Sequence, residues 1–298
     1  MTVEDSATPA SAIAVRSGTP LAALGVVCFS FSFPATVWAL DGLGPWTVTG
    51  VRGLLAGLLA AACLYGARVP LPGREHWPGL LTVAGGCSIG FPLLTALALQ
   101  TSTSAHSAVV IGILPLATAA VSSVLTGRRP SRAFWAAAGF GALTVVAFTL
   151  QQSHGLPALG DLYLFGALLV CAAGYAQGGR LASHMPGWQV IAWGVVAALP
   201  VSALVAAAAL PEEPVHVTGR AVVGMAYLAA VSSFGGFVAW YRGMAAIGVP
   251  RASQIQLAQP LLTLVWSVLL LGEPLSPLAP VAALIVLGCI AVTQRARS

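Results

Sequence analysis

Four polar side chains recur at helical spacing within one apolar stretch: Gln256, Gln259, Thr263 and Ser267 stand three, four and four residues apart. On an α-helix that spacing makes one face, and a polar face is too costly against hydrocarbon to point at lipid. The stripe therefore lines a helix interface or a polar cavity. Thr and Ser in such positions glue helices together. A Gln amide, with two donors and an acceptor, can hold the head group of an amino-acid-like solute without a fixed charge. Pro260 follows directly and removes a backbone donor in mid-helix, a break tolerated at membrane depth where it lines a cavity or is packed by protein. Arg52 is the one charge clearly inside an apolar run. It lies six residues past Trp46, roughly 9 Å along a helix at 1.5 Å per residue, so its side chain either meets a substrate carboxylate or snorkels to the interface as an anchor. Phe31, Pro34 and Trp38 share a face of the first run. They form core packing or the wall of a cavity for an apolar or aromatic group, and Tyr175, Gln177 and Trp240 are then its partners from the second half of the chain.

Other chemistries find no support in residue type or spacing. Asp41, Asp161, Glu212, Glu213 and Glu273 all fall at the ends of runs or in loops, whereas membrane proton relays are built from carboxylates inside the spans. His106 opens a run and is a candidate gating or coupling group; His76, His154, His184 and His216 sit in loops. The five cysteines, Cys28, Cys63, Cys87, Cys171 and Cys289, are far apart in apolar surroundings, which fits small buried thiols. No paired Asp or HxxxH arrangement occurs, so no metal site is indicated. No enzyme activity, cofactor or metal is expected.

The elements that must position these residues follow from composition. Of 298 residues, 58% are hydrophobic and 7% charged, against roughly 25% charged in a soluble domain. Ten apolar runs are bounded by Pro, Gly or charge: 21–40, 46–67, 78–99, 104–126, 133–150, 162–182, 188–210, 221–241, 253–271 and 277–292. Each approaches the length of about 20 residues that a transmembrane helix needs, so the chain is expected to be an all-α integral membrane protein with ten transmembrane helices. Residues 1–20 are expected to be a flexible cytoplasmic tail and 293–298 a second one. With the amino terminus inside, Arg16, Arg68, Arg74, Arg128, Arg129, Arg132, Arg180, Arg242, Arg251, Arg295 and Arg297 all face the cytoplasm and only Arg220 lies outside. That is the positive-inside bias of a multi-pass plasma-membrane protein with both termini cytoplasmic. Basic residues scattered over short loops do not make the patch that nucleic-acid binding requires. The expected partners are a small-molecule substrate and the lipid bilayer, with the protein a monomer or homodimer.

An offset of 145 residues aligns Pro115 with Pro260, Thr118 with Thr263, Ser122 with Ser267, Gly127 with Gly272 and Ser131 with Ser276. Five runs per half is an odd number, so residues 21–150 and 157–292 are expected to be two inverted five-helix repeats, a transporter design with its substrate site near the midplane. The sequence Gln259, Pro260, then Gly272, Glu273, Pro274, Leu275, Ser276, with Pro115 and Gly127 to Ser131 in the first half, resembles the EamA type of the drug/metabolite transporter superfamily. Arg52 opening Arg-Gly-Leu-Leu-Ala and Gly179 to Ala182 add to the resemblance, and Arg128 replaces the usual Glu. The resemblance implies a ten-helix carrier of small metabolites or amino acids, often an exporter. A receptor, an assembly subunit or a membrane enzyme is the alternative.

Overall fold

The computed structural model describes residues 9–127, 130–152, 158–247, 252 and 255–295. Glu4, Asp5, Arg128, Arg129, His154, Arg251, Ser253 and Arg297 lie outside the described residues. Among the described residues the structure is helical apart from turns and one isolated antiparallel bridge between Leu43 and Val215. The helices are α1 (Pro9–Ser30), α2 (Ser32–Leu40), α3 (Pro45–Gly66), α4 (Trp77–Val83), α5 (Phe91–Ala98), α6 (Ser104–Ile111) and α7 (Leu114–Thr126). They continue as α8 (Arg132–Gln152), α9 (Leu159–Leu181), α10 (Gly187–Ala209), α11 (Gly219–Ala226), α12 (Gly236–Ile247), α13 (Ala258–Leu271) and α14 (Leu278–Arg295).

Eight stretches among the described residues are long and apolar enough to cross a bilayer: Gly18–Leu40, Pro45–Gly66, Arg74–Ala98, Ser104–Thr126, Arg132–Gln152, Leu159–Leu181, Gly187–Ala209 and Gly219–Ile247. Two shorter apolar helices, Ala258–Leu271 and Leu278–Thr293, occupy the last two expected spans. Large apolar side chains such as Leu58, Phe140, Leu204 and Leu269 stand uncovered on the outside of the bundle, which suits lipid rather than water. This is a multi-pass membrane protein.

Local sequence accounts for where helices begin and end. Pro45, Pro92 and Pro115 sit in the first turns of α3, α5 and α7, where a missing N–H costs nothing. Thr103 and Thr218 accept the His106 and Ala221 amides as N-caps of α6 and α11. Helices α7 and α13 both stop at a left-handed glycine, Gly127 at φ 65° and Gly272 at φ 66°, a conformation that costs glycine least. The first helix starts at Pro9, ahead of the apolar run read from Leu21, and its candidate membrane-crossing stretch begins at Gly18. The Ala- and Val-containing segment after Pro9 holds no helix breaker before Gly18, and Gly18 packs against Ala246 and Ile247 of α12.

Several helices are interrupted at depth. The first span breaks at Phe31, and the fourth turns at Gly112 and Ile113 between α6 and α7. Two spans contain wide π-type turns, Ala84–Gly90 between α4 and α5 and Tyr227–Gly235 between α11 and α12. Such turns are rare and cluster at functional sites. Gly90 and Gly235, which end the two wide turns, lie 145 residues apart, as do Gly127 and Gly272. The principal pairings are α3 with α10, α1 with α12, α8 with α14, α4 and α5 with α9, and α7 with α9, while α13 packs on α1 and α6. Gly50, Gly53 and Gly57 form the α3 face that meets Ala206, Ser202 and Leu199 of α10. Gly53 and Gly57 form a GxxxG pair that makes a close helix–helix approach, extended by Gly50.

Candidate functional site

Three of these interruptions, at Phe31, Ala84–Gly90 and Tyr227–Gly235, come together around Arg52. Its guanidinium does not reach for the interface; the side chain is 9% exposed and turns into the protein. Nε donates to Ser233 Oγ at 2.7 Å and an Nη to Ser232 Oγ at 3.2 Å, both hydroxyls belonging to the Tyr227–Gly235 turn. Ser232 Oγ lies 2.7 Å from Ser32 Oγ, next to the Phe31 break. A chain of side chains therefore joins α3, the wide turn and α2. The wide turn explains why two consecutive serines can both serve one guanidinium: widening the helix brings neighbouring side chains nearer a common side than the regular 100° step allows.

Beside the guanidinium is a cavity of about 20 Å³ lined by Arg52, Gly53, Cys87, Ser88, Ser233 and Phe237, among others. That is room for one water. Phe237 carries the wall onward, with its ring centroid 4.6 Å from Phe29 and 6.4 Å from both Tyr175 and Tyr241. On the other side of Ser32, Phe31 is surrounded edge-on by Tyr227 at 4.8 Å, Trp38 at 5.2 Å and Trp266 at 6.5 Å. The Trp38 indole N–H is buried with no partner among the described residues. The break at Phe31 frees carbonyls that other helices collect. Thr263 Oγ donates to the Ser30 carbonyl at 2.8 Å, and Tyr227 Oη to the Cys28 carbonyl at 2.8 Å. Trp266 Nε1 donates to Ser30 Oγ at 2.9 Å.

The structure brings Arg52, Phe31, Trp38 and, through Phe237, Tyr175 into one neighbourhood. The polar stripe divides: Thr263 bonds α1, and Ser267 donates to Ser104 Oγ of α6 at 3.0 Å, so both are interhelical glue. Gln256 and Gln259 are half-buried at and just before the start of α13, where Pro260 faces Gly112 at the break between α6 and α7. Gln177 is half-buried on α9, and no side-chain hydrogen bond links it to the others among the described residues. Trp240 is a packing residue. Buried with Ala22 and Val26, it lies against Gly25 where α1 crosses α12. Ser32, Ser232 and Ser233 were missed by sequence reasoning, although a Ser-Ser pair in the middle of an apolar run was a visible signal. Cys63 is exposed and Cys28 and Cys87 are half-buried, which corrects the expectation of five buried thiols; Cys63 lies on the apolar outer surface.

Carboxylates gather at one end of the bundle. Glu213 accepts the amides of Trp46 at 3.2 Å and Thr47 at 2.7 Å, capping α3. Glu273 accepts those of Ser104 at 2.8 Å and Ala105 at 2.9 Å, capping α6. Asp161 takes the Ala158 amide at 2.8 Å and lies 2.7 Å from His106 Nε2, while the imidazole stacks on Phe148. Asp41 is 3.9 Å from Arg220. Negative charge at a helix amino terminus is stabilising, and each of these carboxylate contacts except Asp161 with Ala158 crosses from the first half of the chain to the second.

The EamA-like transporter family matches the chain twice, over residues 16–150 and 158–294. The chain belongs to the EamA-like transporter family. It is 39% identical over 272 residues to the protein named "Uncharacterized transporter YdeK" of Bacillus subtilis, an alignment covering 91% of this chain and 95% of that one. A solved structure described only as "Crystal structure of protein" aligns with a TM-score of 0.65 at 23% identity, covering 93% of this chain and 98% of the other; it shows the fold alone. As an EamA-like transporter, the chain is a membrane transporter. The family's Gly-Glu-x-x-Ser segment now has a physical account. Gly272 turns the chain left-handed, Glu273 caps α6, and the Ser276 carbonyl accepts the Ala279 amide at the start of α14.

Proposed function

We propose that this EamA-like transporter moves a small metabolite or amino acid outward by alternating access, through a central cavity between two inverted five-helix repeats. In this reading the chain crosses the plasma membrane ten times, with both termini cytoplasmic and with α13 and α14 as the ninth and tenth spans. Support for the inversion comes from the pairings. Helices α3 and α10 are counterparts at the 145-residue offset and pair with each other, as do α8 and α14; α1 with α12 is answered by α9 with α4 and α5. Support for the orientation comes from the eleven-to-one Arg bias.

The observation that carries the reading is the joining of Arg52, Ser232 and Ser32 at three interrupted or adjoining spans, with aromatic walls on both sides. Irregular backbone at membrane depth belongs where a cavity or protein satisfies it. The solute's polar head is held by Gln256 and Gln259 together with Arg52, and its apolar part by Phe31, Trp38 and Tyr175. Gln177 lines the same passage and Trp240 backs its wall. The contacts of Glu213, Glu273, His106 and Asp41 tie the two halves at the outer end, so release to the outside requires them to part. The protein works as a monomer or homodimer in the bilayer, without a cofactor.

Efflux from loaded cells tests this. Cells are filled with labelled amino acids and small organic acids, washed, and followed with and without the protein. Faster loss of at least one solute, abolished by Gln256→Leu together with Gln259→Leu in protein that still inserts, is the expected result. Equal loss for every solute contradicts outward transport.

A further inference from the structure

Every described carboxylate is committed away from Arg52. Glu213 and Glu273 cap helices, Asp161 holds His106 and Ala158, Asp41 faces Arg220, Glu75 lies 3.5 Å from His76, and Glu212 is exposed in the loop after α10. Arg52 is thus a buried cation with only two serine hydroxyls as partners among the described residues. Hydroxyls are neutral, and taking a guanidinium out of water is costly unless an opposite charge compensates. Two of its five N–H groups are used. The adjoining cavity is further lined by Ser88 and Cys87, which bring no charge of their own to the site.

We propose that Arg52 is the seat of a single carboxylate carried by the transported solute, held by the free guanidinium N–H groups while Ser232 and Ser233 fix the guanidinium plane. The inference rests on the transport reading and sharpens it: the substrate is a small monocarboxylate, such as an amino or hydroxy acid. One charge is the right count. The chain contains no Lys, and Arg52 is the one buried Arg among the described residues, so a phosphate dianion finds no second cation there. Arg binds carboxylate through two parallel N–H groups, and a guanidinium already oriented by hydrogen bonds loses less freedom on binding. At about 20 Å³ the cavity is smaller than a carboxylate in this closed state, so binding must accompany a widening between Arg52 and the Ala84–Gly90 turn that carries Cys87 and Ser88. The uncompensated charge makes that widening favourable only when the anion arrives.

Thermal unfolding of the purified full chain in detergent tests the proposal with matched probes: phenylalanine, leucine and alanine, the amide and the decarboxylated amine of each, and acetate, lactate and sodium chloride. At least one acid is expected to stabilise the protein with half-saturation at least tenfold lower than its amide and amine. Arg52→Gln removes that preference and Arg52→Lys retains part of it. Unliganded Arg52→Met melts at or above the parent, because an unpaired buried charge is gone. Acids that behave like their amides, or an acid preference that survives in Arg52→Gln, overturn the proposal. So does chloride alone reproducing the whole Arg52-dependent shift, which makes the partner an inorganic ion. A fall in melting of unliganded Arg52→Met, with no acid preference in the parent, makes Arg52 a structural tie. Uptake into proteoliposomes separates the two levels of inference. Acids that bind through Arg52 and never cross leave the site standing without transport. Acids carried at the parental rate by Arg52→Gln leave transport standing and overturn the carboxylate seat.

Discussion

Replacing Glu273 by Ala removes both acceptors from the amino end of α6. The two amides it caps belong to buried residues, Ser104 at 0% and Ala105 at 4% exposure, so water cannot simply take the carboxylate's place. A hydrogen bond to a charged group contributes about 1.5–3 kcal/mol net, and attraction to the helix dipole overlaps with those bonds instead of adding to them. Glu273 is itself half-buried, which lowers the sum to about 2–4 kcal/mol for the pair. Glu273→Gln keeps one acceptor oxygen but points an NH₂ at the second amide, and is expected to lose at least half of that amount. Thermal unfolding in detergent supplies the ranking, parent above Gln at or above Ala. Hydrogen exchange supplies the location, faster at Ser104 and Ala105 than elsewhere. Glu212→Ala, on an exposed loop residue, is the control and changes stability by less than about 0.5 kcal/mol. A Glu273→Ala protein that melts with the parent and exchanges no faster at α6 would refute the capping argument and the account it gives of the family motif.

Three further outcomes are expected. Gly53→Leu forces a side chain into Ser202 of α10 and is expected to destabilise by about 1–3 kcal/mol or block assembly; Gly66→Ala, with open space around it, leaves melting unchanged. Asp161→Ala strands the Ala158 amide and the His106 imidazole and is expected to cost about 1–3 kcal/mol, measured by thermal unfolding. Gln256→Leu and Gln259→Leu each preserve helix propensity and insertion while cutting transport by tenfold or more; parental rates in both variants mean that the Gln pair packs helices.

Much of the architecture was legible because membrane helices announce themselves by length and apolarity. The Ser104–Thr126 span has the boundaries that composition predicts. Thr263 and Ser267 join helices, as small hydroxyl residues in a stripe should. The wide turns at Ala84–Gly90 and Tyr227–Gly235 were not legible, since a π-type turn has no periodicity of its own and Gly-rich stretches also suit ordinary close packing. Nor could the direction of Arg52 be read. Six residues from the interface its side chain reaches either outward or inward, and the choice is made by Ser232 and Ser233, which are 180 and 181 residues away in sequence. Trp240 shows the same limit in reverse: its type suits a cavity wall, but the close approach at Gly25 makes it packing.

The account stands or falls on whether the protein carries solute. Purified protein reconstituted into liposomes preloaded with unlabelled amino and hydroxy acids, one per preparation, is given a trace of the same labelled compound outside. For at least one solute the account predicts saturable accumulation of label above protein-free liposomes, occurring without an imposed ion gradient and lost when Gln256 and Gln259 are both Leu. Label that never exceeds the protein-free level for any solute, with the protein inserted and folded, contradicts it.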